Sequence, residues 1–184
     1  MDVASVVVPV AWSTRPGSAA GVLDDAARYA DDVAREGAVA PALVRAGTFP
    51  TTAEAAETAV TAIRARLTRR FGLEESDIRV LYGEEYHSIF IRVDNEQMTI
   101  HADITTFGAE DTRLFIDMWA TRGEARGTGL SRQMLDEVEQ VARDYGAQRS
   151  VIVGSLRKAW NYWTHMGYAE TGSRPFTHDK ILAR

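Results

Sequence analysis

Arg126-Gly127-Thr128-Gly129-Leu130-Ser131 is the stretch of this chain whose residue types and spacing come nearest to chemistry. Glycines at 127 and 129 let a backbone approach an anion closely. The apolar period through Leu130, Met134, Val138, Val141 and Tyr145, stopped by Gly146, predicts an amphipathic helix that begins at this turn. The first turn of such a helix has unpaired N–H groups and the positive end of the dipole, which together suit a pyrophosphate. Arg122, Arg126 and Arg132 add local positive charge. The same spacing also serves a plain strand-to-helix turn in which glycine supplies geometry alone. The stretch is not a P-loop, because no Gly-Lys-Ser/Thr follows, nor a dinucleotide fingerprint, because the Gly-x-Gly-x-x-Gly order fails at Arg132.

Groups able to move a proton lie just upstream. Asp117 is one of few charged residues in the apolar run 114–120, and His101 and Asp103 alternate with the apolar residues of an earlier run. Histidine titrates near neutrality without help, which ranks His101 high as a general base. Glu84, Glu85 and His87 form a further charged turn. Each of these is also an ordinary solvent-facing residue on a sheet, and Asp117 with His101 is best tested as a pair. His165 and His178 show no metal-ligand spacing, so no metal is expected.

The elements that must position these residues follow from the periodicities. After a turn signal at Gly17-Ser18, Val22, Ala26, Ala30 and Val33 predict a helix over 19–36, preceded by a short strand over 6–10 that Pro9 interrupts. The Pro- and Gly-bearing stretch 37–50 reads as a loop. Thr51 with Glu54 makes a capping-box signature for a second helix, lined by Ala56, Val60, Ile63 and Leu67 and ending near Arg70 with Gly72 beyond it. From Asp77 the period becomes alternating, with strands over 78–82, 86–93, 97–104 and 112–121 joined by short turns, hence antiparallel hairpins. Met98, Ile100, Ala102 and Ile104 share one face of the third of these, and Thr99, His101 and Asp103 the other, wetter one. On the fourth, Leu114, Ile116 and Met118 are expected to alternate with Phe115, Asp117 and Trp119. A strand over 150–153, an aromatic-rich helix over 156–166 and closing strands over 168–171 and 177–183 complete the chain.

The 184 residues are one domain's length, 45% hydrophobic and 26% charged, with a net charge of −5 that disfavours a polynucleotide partner. The chain has no cysteine, which removes disulfides, thiol nucleophiles and thiolate metal sites and favours a cytoplasmic setting. The first residues lack a basic n-region, and their apolar run ends by Trp12, too early for a membrane span.

The loop and helix resemble the hallmark of the GNAT N-acetyltransferase superfamily, Arg/Gln-x-x-Gly-x-Gly/Ala, with Ser131 in the last small position. Ala159-Trp160-Asn161-Tyr162-Trp163-Thr164-His165-Met166-Gly167-Tyr168 is similar to a second signature of that family, Asn-x-x-Ala-x-x-Phe-Tyr-x-x-x-Gly-Phe. The two matches span about a third of the chain. The resemblance implies an α/β fold: a mixed, mostly antiparallel central sheet of six to seven strands flanked by about four helices. It implies one domain over 1–184, with a mostly helical part over 1–76 and the sheet and acyl-CoA-binding core over 77–184. The family has one strand before its hairpins, so residues 78–82 are one strand too many unless the strand over 6–10 is misread.

The resemblance further implies transfer of an acetyl or other short acyl group from acetyl-CoA or another acyl-CoA to an amine. Arg126, Gly127, Thr128, Gly129, Leu130 and Ser131 would cradle the pyrophosphate, and Trp119, Ala120 and Thr121 would run beside the pantetheine. The acyl carbonyl would lie where the fourth and fifth strands splay, and with no thiol for an acyl-enzyme the amine would attack directly. Two positions depart from the pattern. The family's general-acid tyrosine aligns with Trp163, whose indole donates a hydrogen bond but delivers no proton, and its asparagine aligns with Leu156. Trp163 then closes the acyl pocket, and the leaving thiolate takes its proton from Tyr162, Tyr168, His165 or water. Arg157 and Lys158 are candidates for the adenosine phosphate. The acceptor is a small-molecule, protein or peptide amine, with no nucleic acid and no membrane, and a homodimer is compatible with the reading. The alternatives are a degenerate binding or regulatory module on this scaffold, or an enzyme on it that does not use acyl-CoA.

Overall fold

In the computed structural model, residues 49–108, 111–172 and 175–182 are described. The helix expected over 19–36 and the strand expected over 6–10 lie outside them.

The first described helix, α1 (Ala53–Phe71), starts one residue later than the capping signature suggests. Thr52, not Thr51, is the N-cap, and its side chain accepts the N–H of Ala55 at 3.2 Å. Ala56, Ala59, Ile63 and Leu67 are its buried stripe. Gly72, at φ +61°, ends it in the left-handed region where glycine is unstrained.

Seven strands follow in one sheet: β1 (Ile78–Gly83), β2 (Ser88–Asp94), β3 (Met98–Thr106), β4 (Thr112–Thr121), β5 (Ala147–Val153), β6 (Ala169–Glu170) and β7 (Phe176–Ile181). Their spatial order is β1-β2-β3-β4-β5-β7-β6. The hairpins expected from the alternation pair antiparallel, and residues 78–83 do form a strand, β1, paired against β2. Among the described strands only β4 and β5 run parallel, joined through α2 (Leu130–Asp144), so the sheet is mixed and mostly antiparallel. The aromatic-rich helix is shorter than its period suggested: a 3-10 turn (Arg157–Ala159) leads into α3 (Trp160–His165).

α1 and α2 lie side by side, clasped by Arg66 and Arg70 on Glu137 and by Arg66 on Asp144 at 2.6 Å. Their apolar stripes, Ile63 and Leu67 with Met134, Leu135, Val138 and Val141, pack with Ile89, Ile91, Ile100, Ile104, Leu114 and Ile116 into one core. The opposite face of the sheet carries Phe90 and Arg92 on β2, His101 and Asp103 on β3, and Phe115 and Asp117 on β4.

The alternation along β4 breaks once. Ile100 pairs with Trp119 and His101 with Met118, but Ala102 pairs with Ile116, so Asp117 is the extra residue of a β-bulge. Beyond it Trp119, not Met118, joins Leu114 and Ile116 in the core, which corrects the simple alternation expected here. Pairing of β4 with β5 stops at Ile116 and Ile152. The β5-facing edge of residues 117–121 therefore has no strand partner among the described residues.

Candidate active site

β4 delivers the chain into the glycine loop. After a 3-10 turn (Gly123–Ala125), Arg126, Gly127, Thr128 and Gly129 are exposed, with Gly127 at φ +77° and Gly129 at φ +85°. A side chain at either position would be strained whatever the space around it. Thr128 Oγ1 donates to the carbonyl of Ala125 at 2.8 Å and accepts from the N–H of Leu130 at 3.3 Å, which fixes the loop from within. Gly129 is the N-cap of α2 and has no side chain to satisfy the first turn, so the N–H groups of Ser131 and Arg132 have no partner inside the helix. Backbone N–H groups presented in this way are able to cradle an anion.

Ser131 turns its hydroxyl away from the cradle. Ser131 Oγ accepts the indole N–H of Trp119 at 2.8 Å and lies 2.8 Å from Tyr162 Oη. Burial raises the Tyr162 hydroxyl above its ordinary range, and the hydrogen bonds from Ser131 and Trp119 work against that shift. Trp119, Ala120 and Thr121 form the edge that no described strand pairs with, beside this cluster, so the side chain of Trp119 belongs to the core while its backbone borders the edge.

The cationic residues divide. Arg126 donates through Nε to the carbonyl of Thr121 at 3.2 Å and stays exposed beside the loop. Arg132 is exposed, 4.0 Å from Asp136. Arg122 is directed elsewhere: its guanidinium binds Asn95 O at 3.0 Å, Asp94 Oδ1 at 3.1 Å and Thr99 Oγ1, anchoring the β2–β3 hairpin. The cluster of three arginines expected at the loop is therefore a cluster of two.

Asp117, on the bulge where β4 leaves β5, meets Asp103 rather than His101. Burial raises the Asp117 carboxyl to about 7, and the charge of Asp103 and the hydrogen bond that the protonated Asp117 donates to it add to the effect while Arg92 opposes it. Arg92 Nη1 lies 2.5 Å from Asp103 Oδ1 and also donates to the carbonyls of Ala102 (3.0 Å) and Ile91 (3.1 Å). His101 faces Arg92 across the β2–β3 ladder. Burial and then Arg92 push the His101 imidazole below its ordinary value, so it is neutral at pH 7. An acid that titrates near neutrality at the start of an open strand edge is what a general base requires. Arg92 had no signature in the sequence, where it reads as one more polar residue of an alternating strand.

Other candidates sit in different surroundings. Tyr168 is buried, donates to Glu139 Oε1 at 2.9 Å and pairs with Ser150 Oγ at 2.6 Å; burial, followed by the charge of Glu139, raises it well above the ordinary range. Lys180 Nζ closes on the same carboxylate at 2.8 and 3.0 Å. Trp163 is fully buried against Trp119, Tyr162 and Tyr168, and its indole N–H has no partner among the described residues. His178 is fully buried edge-on to Trp160, and burial keeps it neutral. Arg157 stacks on Trp160, and Lys158 and His165 are exposed. Glu84, Glu85 and His87 lie at the exposed β1–β2 turn. Among the described residues no group of three or more His, Asp or Glu is arranged to hold a metal ion, and no helix is long and apolar enough to cross a membrane.

A family model described as an acetyltransferase (GNAT) domain matches residues 52–183. Solved structures similar to the chain include an acetyltransferase from Bacillus cereus, 17% identical over 76% of this chain and 97% of that one, with a TM-score of 0.41. Another is an acetyltransferase of the GNAT family from Staphylococcus aureus, 12% identical over 72% and 96%, also at 0.41. A third is an acetyltransferase from Thermus thermophilus, 20% identical over 64% and 71%, at 0.36. No curated protein matches.

Proposed function

The chain belongs to the GNAT acetyltransferase family, and on that premise we propose that it transfers an acetyl or other short acyl group from acyl-CoA to an amine by direct attack. The observation that carries the reading is Asp117: a carboxyl raised to about 7 stands where β4 parts from β5, on the same strand that runs into the anion cradle. Backbone N–H groups from Arg126 to Ser131 would hold the pyrophosphate. The edge of Trp119, Ala120 and Thr121 would pair with the pantetheine amides and align the thioester with the amine. The amine nitrogen forms the new C–N bond, the C–S bond breaks with its electron pair on sulfur, and Asp117 takes the proton that nitrogen sheds. The thiolate takes its proton from Tyr162 or from water. Being a good leaving group, it does not require an acid at position 163. A cytoplasmic setting, in keeping with a cysteine-free chain, is part of the proposal.

Isothermal titration with acetyl-CoA tests the reading, repeated on Gly129→Asp. Binding that falls about tenfold or more in the variant supports it, since the new carboxylate repels the diphosphate from a strained N-cap. No binding by the wild type, or equal binding by both, sinks it. A second reading, a binding module on the same scaffold, is favoured by the buried indole at Trp163 in place of a hydroxyl. It predicts acetyl-CoA binding with no thiol released across a panel of amines.

A further inference from the structure

Two carboxyl groups that share a hydrogen bond need a proton between them, and the surroundings decide which one keeps it. On β3, Asp103 is held by a guanidinium that is itself fixed by three oxygens, those of Asp103, Ala102 and Ile91. Arg92 also lies over the ring of Phe90, 5.4 Å from its centroid, so it has little freedom to leave. Asp103 is thus the immobile member of the pair. On β4, the bulge sets Asp117 beside it in place of a regular cross-strand partner, since the residue opposite Asp103 is Phe115.

Resting on the acyl-transfer reading, we propose that Asp103 is a positioning residue: clamped by Arg92, it orients the Asp117 carboxyl at the strand edge and shares one proton with it. Among the described residues, the groups that face Asp117 are few. β3 offers Asp103 and His101, and β2 offers Arg92. β5 offers none at the end of its ladder, where Ile116 meets Ile152, and the helices α1 and α2 lie on the other face. Beyond burial, Asp103 favours the proton on Asp117, and Arg92 opposes it. Removing the one or the other must therefore move the base in opposite directions.

The experiment is a carboxyl-carbon NMR titration of the full chain labelled with 13C-aspartate, with Asp117 identified by its loss in Asp117→Asn. In the wild type the Asp117 resonance should titrate near 7. In Asp103→Asn the midpoint should fall by about one pH unit or more, and in Arg92→Gln it should rise. The acid limb of kcat/KM for acetyl transfer to a test amine should move with the same signs while the KM for acetyl-CoA holds, a signature that lost packing alone does not produce. An Asp117 midpoint in the ordinary carboxylate range, or both variants shifting it the same way, overturns the proposal. Midpoints that move as expected without thiol release from acetyl-CoA instead count against the acyl-transfer reading, and the carboxyl pair stands.

Discussion

Trp119 donates its indole N–H to Ser131 Oγ across 2.8 Å, tying the edge of β4 to the first turn of α2. The bond joins the strand to the loop that follows it, so the position of the cradle depends on a buried donor. In Ser131→Ala that donor, on a residue 2% exposed, is left without its acceptor. Stability should drop by about 1–3 kcal/mol in urea unfolding. Acetyl-CoA affinity should weaken as well, because the helix start loses its tie to the strand. A variant as stable as the wild type would show that the bond does not hold the loop.

Asp117 makes stability depend on pH with a defined sign. Its folded value is near 7, against 3.8 for the free side chain, so between these values the folded state retains a proton that the unfolded chain gives up. Stability from this group is therefore lost as pH rises through the window, on the order of a few kcal/mol across it. Asp117→Asn should be more stable than the wild type at pH 7.5 and equal to it near pH 4, as read by denaturant midpoints. Its thiol release should fall by about 10²–10⁴-fold. A variant equally stable at both pH values would contradict the raised carboxyl.

Glu139 is 2% exposed and depends on Lys180 and Tyr168, with Arg143 at 3.7 Å. Lys180→Met strands a buried carboxylate and should cost about 3–5 kcal/mol, tempered by Arg143. Tyr168→Phe should cost about 1–2 kcal/mol through the lost hydrogen bonds to Glu139 and Ser150. Because that hydroxyl already donates to Glu139, thiol release per folded molecule should stay within about twofold. A large drop in turnover with stability retained would instead make Tyr168 the acid.

Arg126 and Arg122 should separate in binding. Arg126→Gln removes an exposed cation beside the cradle, and its acetyl-CoA affinity should weaken by about three- to tenfold with a shallower dependence on salt. Arg122→Gln loosens the β2–β3 hairpin and should lower the melting temperature more than the affinity. The reverse pattern in titration calorimetry would place Arg122 at the ligand.

Much of this architecture is legible in the sequence because it rests on local signals. The alternation of Met98, Ile100, Ala102 and Ile104 is the face that β3 buries, and Gly72 and Gly146 stop the helices they follow. The glycine loop reads correctly since φ values near +80° at Gly127 and Gly129 are a backbone demand that residue type reveals. The carboxyl pair does not read, because a bulge leaves no mark in an alternating pattern. Arg122 escapes for a related reason, since proximity along the chain to Arg126 says nothing of Asp94 and Asn95, brought near by a hairpin.

The bulge at Asp117 also sets a length. β4 carries the carboxyl pair at one point and the glycine loop at its end, so under the proposed function the strand is a ruler between a proton acceptor and a diphosphate grip. Deleting Met118 would leave the inward side of Trp119 and the outward side of Asp117 as they are. It would shorten the ruler by up to about 3.3 Å, two or more bond lengths of a pantetheine arm. Both ends would remain chemically intact, and a donor anchored at the cradle would carry its thioester past the base.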